Sequence, residues 1–352
     1  MVNEKSLMDQ ETLALADSTS IVRRRRLPIP ADRLRALGWT EGQPLWFTRS
    51  NDDVIVRAEG PGQPIVLSPA GLVWPVENLG LTPGQILAWE PHSGGLRISA
   101  VDGLAHESYR NPKTDRFGVP VPPSWLTQAF TGKPNSGNYL ERGESVVESL
   151  AELAAAAGRD LASLDGILDF GCGAGRMLRY MPKPTRAGLV GYDLHAPSID
   201  WCRAHMPFGR WEHGRQTPPL DESDDSFDLI YAISVLTHLD EAHQDLWLSE
   251  WKRLLRPGGI LIATYRSELF AEKIIKPRDA RYAESVLTNL KEHGGFVYIT
   301  DGGWSGIFPG YYNDAYHAQD YVNRRWGEIF EIVRIYPSGT LFNQDIALLR
   351  KS

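Results

Sequence analysis

The sequence predicts a doubly wound α/β fold preceded by a small β-rich domain built from two repeats. Three observations carry this. From Gly166 onward, short apolar runs alternate with stretches of helical periodicity. The first of those runs leads straight into three closely spaced glycines, in "ILDFGCGAGRM" at 167–177. In the first hundred residues, "LGWTEGQPLWF" from Leu37 returns as "LGLTPGQILAW" from Leu79, an offset of 42 residues.

The chain has 352 residues, enough for two domains. Residues 1–20 lack the apolar stretch of a signal peptide and are expected as a disordered tail. Residues 21–103 hold the repeat. In each copy a strand passes through Pro30 or Pro75 into a short helical turn, which Gly38 or Gly80 ends. A strand, a turn ("SNDD" or "HSGG") and a last strand follow. One such unit is too small to bury its own apolar face, so two copies must pack together. Residues 104–137, rich in proline and polar side chains, read as a linker.

The third region spans 138–352. "ERGESVVESLAELAAAAGRD" reads as an amphipathic helix, with Val146, Val147, Leu150, Leu153 and Ala154 at helical spacing and Gly158 as its stop. "GILDF" fits a buried parallel strand. "AGRMLRYM" has helical character and Pro182 ends it. "AGLVGYDL" is the next strand, terminating at Asp193, and "APSIDWCRAHM" is a helix. "SFDLIYAIS" is a strand, "EAHQDLWLSEWKRLL" a helix that stops before "RPGG", and "GILIATY" another strand. An aromatic, glycine-rich insert, "FVYITDGGWSGIFPGYYND", precedes a final antiparallel pair in "IFEIVRIYPSGTLFNQDIALLRK". Gln344 and Asp345 open the last strand, in a turn role or in support of the ligand end of the sheet.

Net charge is −7. Residues 1–110 hold 11 Lys+Arg against 13 Asp+Glu, and residues 111–352 hold 26 against 31. Neither half has the basic excess that nucleic-acid affinity requires, so nucleic acid is not an expected partner. The run "RRRR" at 23–26 reads as a solvated strand face or arm. The two cysteines, Cys172 and Cys202, have no metal-ligand spacing, so no metal and a reducing cytoplasm are expected. No run approaches the length of a membrane span.

The glycine loop reads G-x-G-x-G at Gly171, Gly173 and Gly175, whereas a dinucleotide fingerprint would place its last glycine where Arg176 stands. Taken alone, the loop suits a nicotinamide cofactor or another nucleoside. In doubly wound sheets ligands lie at the carboxyl ends of the strands. Asp193 sits at such an end, 20 residues beyond Gly173, where a carboxylate can accept from two ribose hydroxyls.

Residues of about 138–352 resemble the class I S-adenosylmethionine-dependent methyltransferases. The resemblance rests on "LDFGCGAGR", "GYDL", "PPLDESDDSFDLIYAISVLTHL" and "LLRPGGILIAT", in that family's order and spacing. It implies a Rossmann-like methyltransferase sheet with S-adenosylmethionine as cofactor, and a loop that passes beside the amino-acid part and ribose and cradles no pyrophosphate. It implies Asp169 and Gly171 at the methionine portion and close backbone approach at Gly173 and Gly175. Asp193 falls on the ribose, Leu194 on the adenine, residues 214–217 at the adenine border, and Ile233 and Ser234 under the sulfonium. Cys172 reads as a small loop filler.

Methyl transfer needs aligned nucleophile, methyl and sulfur, and a hydroxyl acceptor gains from a general base. His238, just past the fourth strand of this region, is the first candidate base, with helix capping as its alternative; His317 is the second. The insert places Tyr311, Tyr312 and Asn313 toward the acceptor, while Trp304 and Phe308 read as local core. The expected function is methyl transfer to a small-molecule or glycan acceptor at oxygen. The alternatives are a protein or peptide methyltransferase that docks its substrate on the N-terminal domain, and a DNA-associated regulator that senses the cofactor. Residues of about 21–101 resemble the AbrB/MazE swapped-hairpin family, through "GLVWPVENLGLTPGQ" and "RLPIPADRLRALGWTEGQ". Many members of that family bind DNA, a role the charge balance here speaks against.

Overall fold

The computed structural model describes residues 19–21, 34–35, 37–40, 42–50, 53–59, 63–66, 85–92, 95–131, 139–182, 188–300, 304, 307–337 and 343–352. The Arg run at 23–26, Pro30, Pro75 and Gly80 lie outside the described residues. The chain divides into two compact units: residues 1–141 with 303–309, and residues 142–302 with 310–352.

The first unit is built on one antiparallel sheet. Its strands are β1 (Thr19–Ile21), β2 (Pro44–Ser50), β3 (Asp53–Arg57), β4 (Gln63–Val66), β5 (Ile86–His92) and β6 (Gly95–Ala100), in the order β1-β5-β6-β3-β2-β4. The sequence repeat appears as two hairpins, β2–β3 and β5–β6, which meet through β3 and β6 with Val54 opposite Ile98 and Val56 opposite Leu96. Alternate strand residues point to one face. Leu45, Phe47, Val54, Val56, Leu87, Trp89, Leu96 and Ile98 accordingly form a single core with Leu34 and Trp39.

Two expectations change here. Thr19 and Ser20, placed in the tail, join Ile21 in an edge strand paired with β5. The expected linker is folded over much of its length. Asp115 accepts from the backbone N–H of Phe117 and Val119 to form a turn, and helix α1 (Ser124–Thr131) buries Trp125, Leu126 and Ala129. Proline and polar content misled because one fully buried tryptophan outweighs it: burying such a side chain is worth about 2–3 kcal/mol. Trp304 and Phe308, expected as core of the insert, pack instead within this first unit, where Phe308 meets Phe130 edge-on.

The second unit is a seven-stranded mixed sheet. Helix α2 (Tyr139–Ala156) leads into it, with Val146, Val147, Leu150 and Leu153 buried and Gly158 at φ +75° closing the turn beyond. The strands are β7 (Ile167–Phe170), β8 (Leu189–Asp193), β9 (Arg210–His213), β10 (Phe227–Ala232), β11 (Leu255–Tyr265), β14 (Glu331–Tyr336) and β15 (Asp345–Arg350). A separate hairpin is formed by β12 (Phe296–Ile299) and β13 (Asp314–His317).

Sheet order is β14-β15-β11-β10-β7-β8-β9. Strands β7 to β11 run parallel, and β15 and β14 run antiparallel beside β11. Strand β7 has β8 on one side and β10 on the other, so the order reverses there. That switch point opens a crevice at the carboxyl ends of the strands. Helices α3 (Ala196–His205) and α4 (Glu241–Leu254) follow β8 and β10. Helix α5 (Ala280–Glu292) precedes the β12–β13 hairpin, and α6 (Gln319–Arg325) follows β13. One large core joins Leu168, Ile230, Ala232, Leu261 and Ala263 of the sheet to Trp247, Trp251 and Trp326. The stretch "AGRMLRYM" yields only a single 3-10 turn at Leu178–Tyr180, because the left-handed residues of the glycine loop run up to Gly175.

Candidate functional site

The site is assembled at the switch point. After β7 the chain turns through Gly171, Gly173 and Gly175 at φ +88°, +54° and +72°, a backbone region that residues with a Cβ rarely enter. The bend also leaves no room. A Cβ on Gly171 would stand 2.6 Å from Val235 Cγ2, and one on Gly175 would stand 2.7 Å from Met206 Sδ. The Gly171 and Cys172 N–H groups donate to the Tyr192 carbonyl, which ties the bend to the end of β8.

Asp193 closes the bend from the next strand. Its Oδ2 accepts from Gly173 N and its Oδ1 from His195 N, both at 2.8 Å. The carboxylate therefore points into the loop. Burial pushes it up to about 6, against the pull of those two N–H groups. Beside it His195 caps α3, its Nδ1 2.8 Å from Ser198 Oγ, and burial lowers it to about 4. Half-buried Leu194 offers its carbonyl to His213 Nε2 at 2.9 Å. The thiols of Cys172 and Cys202 are buried, lie 3.5 and 3.7 Å from the Gly173 carbonyl, and are pushed well up by burial. Both are neutral side chains packed against the loop.

Under the loop lies an uncompensated acid. Asp169, last but one in β7, is fully buried, and neither of its oxygens has a hydrogen-bond partner. Burial pushes it up to about 8. An orphaned buried carboxyl at the mouth of a glycine loop is costly unless a cation completes it. The ammonium and ribose hydroxyls of an aminoacyl nucleoside suit Asp169 and Asp193 respectively.

Beyond β10, Ile233 is buried and Ser234 adopts φ +59°. Ser234 N donates to Thr264 Oγ1 at 2.7 Å and its hydroxyl reaches Gln344 Oε1 at 3.1 Å. This bonding joins the ends of β10, β11 and β15, and gives Gln344 a supporting role at that end of the sheet.

The two histidines expected as bases are differently placed. His238 Nδ1 stands 2.7 Å from the Asn313 carbonyl and 3.3 Å from Asp314 Oδ1. A carbonyl only accepts, so Nδ1 carries the proton. The Nε2 lone pair then faces Arg266 Nη2 at 3.4 Å. Burial and Arg266 lower the ring to about 4. His317 is fully buried amid Tyr265, Phe296, Tyr321 and Trp326. Gln244 Nε2 donates to two carbonyls, so its Oε1 accepts from His317 Nε2, at 2.9 Å. Burial lowers that ring to about 3. The His238 lone pair thus faces Arg266, while the His317 Nδ1 lone pair is buried without a partner.

The acceptor candidates pack onto the same network. Tyr311 stacks on His243 at 4.3 Å and Tyr312 on His238 at 4.6 Å. Asn313 is buried and donates to the Gly310 carbonyl at 2.9 Å and the Tyr298 hydroxyl at 3.0 Å. The half-buried Tyr311 and Tyr312 are the more accessible pair, and Asn313 serves as a brace. Sequence reasoning missed Arg266, Asp314 and Tyr231. Arg266 binds Asp314 at 2.7 Å with both side chains 13 % exposed. The only signal was position: Arg266 directly follows the strand "ILIATY".

Residues 167–259, from β7 into β11, match the family model described as a methyltransferase domain. A curated relative, Methyltransferase GfsG of Streptomyces halstedii, is 31 % identical over 126 residues, which cover 34 % of this chain and 43 % of that protein. The chain thus matches less than half the length of that relative. Among solved structures, a SAM-dependent methyltransferase of Methanosarcina mazei is 17 % identical, covering 53 % of this chain and 92 % of its own, with a TM-score of 0.39. The magnesium protoporphyrin IX methyltransferase of Synechocystis PCC 6803, with bound SAH, is 19 % identical over 61 % of this chain and 87 % of its own, also at 0.39. Among the described residues, no group of three or more His, Cys, Asp or Glu is arranged to hold a metal ion. Among the same residues, no helix is long and apolar enough to cross a membrane.

Proposed function

We propose that the chain transfers the methyl group of S-adenosylmethionine to an oxygen of a small-molecule or glycan acceptor. The observation that carries this is the pair of buried carboxyl groups around the glycine bend, Asp169 without a partner and Asp193 aimed into the loop. The methyltransferase domain match over the same strands supports it. When bound, the cofactor supplies a methyl group already activated by its sulfonium charge.

The chain's own residues would then bind, orient and exclude water. Asp169 faces the ammonium, Asp193 the ribose and Leu194 the adenine, while Ile233 and Ser234 form the floor under the reacting carbon. Gly171, Gly173 and Gly175 let the main chain approach the ligand closely. Aligning two reactants in this way can supply about 7–11 kcal/mol of the barrier. Both ring protons are committed inside the protein, the His238 lone pair faces Arg266, and the His317 Nδ1 is buried without a partner. That geometry favours a positioning role for both, and an acceptor oxygen that is nucleophilic without an imidazole base, as a carboxylate or acidic hydroxyl is.

The near-symmetric pairing of two hairpins supports the swapped-hairpin likeness of the first unit. The test of the main reading is direct. Calorimetric titration of the full chain should show binding of S-adenosylmethionine, and incubation with labelled cofactor and extract fractions should yield a methylated small molecule. A chain that binds neither S-adenosylmethionine nor its demethylated product refutes it.

A further inference from the structure

Asp169 is not alone in lacking a partner. Parallel pairing of β7 and β10 sets Tyr231 beside Asp169. Leu168, Ile230 and Ala232 line the large core, so by alternation Asp169 and Tyr231 share the opposite face of the sheet. Both are fully buried, and the Tyr231 hydroxyl, like both Asp169 oxygens, has no hydrogen-bond partner. A phenol and a carboxyl are complementary, one donating and the other accepting. Side by side, the two groups stay unmatched in the empty chain. A bound cation would complete the set.

We propose that Tyr231 is a positioning residue for the ammonium group of the cofactor: its hydroxyl donates to the Asp169 carboxylate and keeps that carboxylate ionised and turned toward the cation. The inference rests on the S-adenosylmethionine reading above. The groups that face Asp169 are Tyr231 from β10, Asp193 from the end of β8, Cys172 in the loop, Cys202 from α3 and Arg176 beyond the bend. The thiols are neutral there, and Asp193 opposes ionisation. Tyr231 and Arg176 favour it, and Tyr231 has the stronger pull. Arg176 is half-buried and acts through charge alone. In the empty chain at neutral pH, Asp169 holds its proton. When the ammonium arrives, that proton leaves to solvent, and the new carboxylate is shared between the cation and the Tyr231 hydroxyl. One proton is released and no other bond changes.

Tyr231→Phe removes one oxygen and keeps the ring, so the fold survives. The dissociation constant for S-adenosylmethionine should be measured from pH 6.5 to 9.5 for the unaltered chain and for Tyr231→Phe. The α-amino group of the ligand titrates in this range too, but identically for both proteins, so it cancels in their ratio. Losing the hydroxyl should weaken binding about tenfold at pH 6.5, with the ratio shrinking toward one above pH 9, as expected for an acid whose ionisation has become about one pH unit harder. The carboxyl carbon of Asp169, followed by NMR in the free proteins, should titrate about one unit higher in the variant. A merely structural tyrosine would give a ratio that does not change with pH and an unmoved Asp169 titration, and either result overturns the inference. If the unaltered chain binds no cofactor at any pH, the S-adenosylmethionine reading falls and this inference with it; normal binding with an indifferent Tyr231→Phe removes this inference alone.

Discussion

Asp193→Ala is the sharpest perturbation of the proposed site. In the structure its carboxylate holds two buried N–H groups, those of Gly173 and His195, each at 2.8 Å. Removing it strands both donors, at about 1–3 kcal/mol each. At about 2–4 °C per kcal/mol for a unit of this size, the melting temperature should fall by about 4–24 °C. Cofactor binding should suffer separately. Two ribose hydroxyls donating to a carboxylate are worth about 1.5–3 kcal/mol each, so affinity should fall at least about 100-fold. Asp193→Asn keeps an acceptor oxygen and should lose about tenfold. A pH signature accompanies this. Asp193 titrates at about 6, and ribose donors favour its charged form. Affinity in the unaltered chain should therefore drop as pH falls below about 6, and Asp193→Asn should lack that component. Thermal melts and calorimetric titration measure both effects. An alanine variant that melts lower yet binds S-adenosylmethionine with unchanged affinity would refute the assignment of Asp193 to the ribose.

Asp169 titrates at about 8 when folded against an ordinary 3.8, so the folded state holds a proton that the unfolded state gives up between about pH 4 and pH 8. This contribution destabilises the free chain as pH rises through that window; Asp169→Asn should flatten that part of the slope, as urea midpoints at pH 5, 7 and 8.5 would show. Asp314→Ala should cost about 3–5 kcal/mol, because it leaves the Arg266 guanidinium buried and unpaired. Arg266 and His238 hold Asp314 well below the usual carboxylate range, so in the unaltered chain the pair contributes fully above about pH 4 and is lost only in stronger acid. His238 is lowered to about 4, so its contribution is fully present above about pH 6.5 and is lost as pH falls toward 4. His238→Gln should lower stability by about 1–3 kcal/mol yet leave the pH profile of kcat/KM unchanged; a drop of about a thousandfold in kcat at unchanged melting temperature would restore His238 as a general base.

Much of the second unit was legible because its signals are local. Apolar runs of strand length, a glycine bend after the first, and an acid at the end of the second identify a doubly wound sheet and its ligand end. Backbone conformation imposes those features residue by residue: only glycine tolerates φ +88° beside Val235, whatever surrounds it. The 42-residue repeat was equally visible, since two like sequences make two like hairpins. The segment at 104–131 differs from its reading because composition reports average polarity, whereas packing turns on a few buried side chains such as Trp125, Leu126 and Ala129.

The sequence determined the order of strands and helices, the glycine bend, and Asp193 as the acid that faces it. Only the tertiary structure decided which polar groups have partners. His238 and His317 read as candidate bases in one dimension; in the fold Arg266, distant in the chain, faces the lone pair of the first and Gln244 takes the ring proton of the second. Tyr231 carried no signal in "DLIYAIS" and gains a role because strand pairing sets it beside Asp169. The physical reason is the same in each case. Local sequence fixes backbone geometry, but a side chain's protonation and hydrogen bonding depend on burial and on neighbours that only folding supplies.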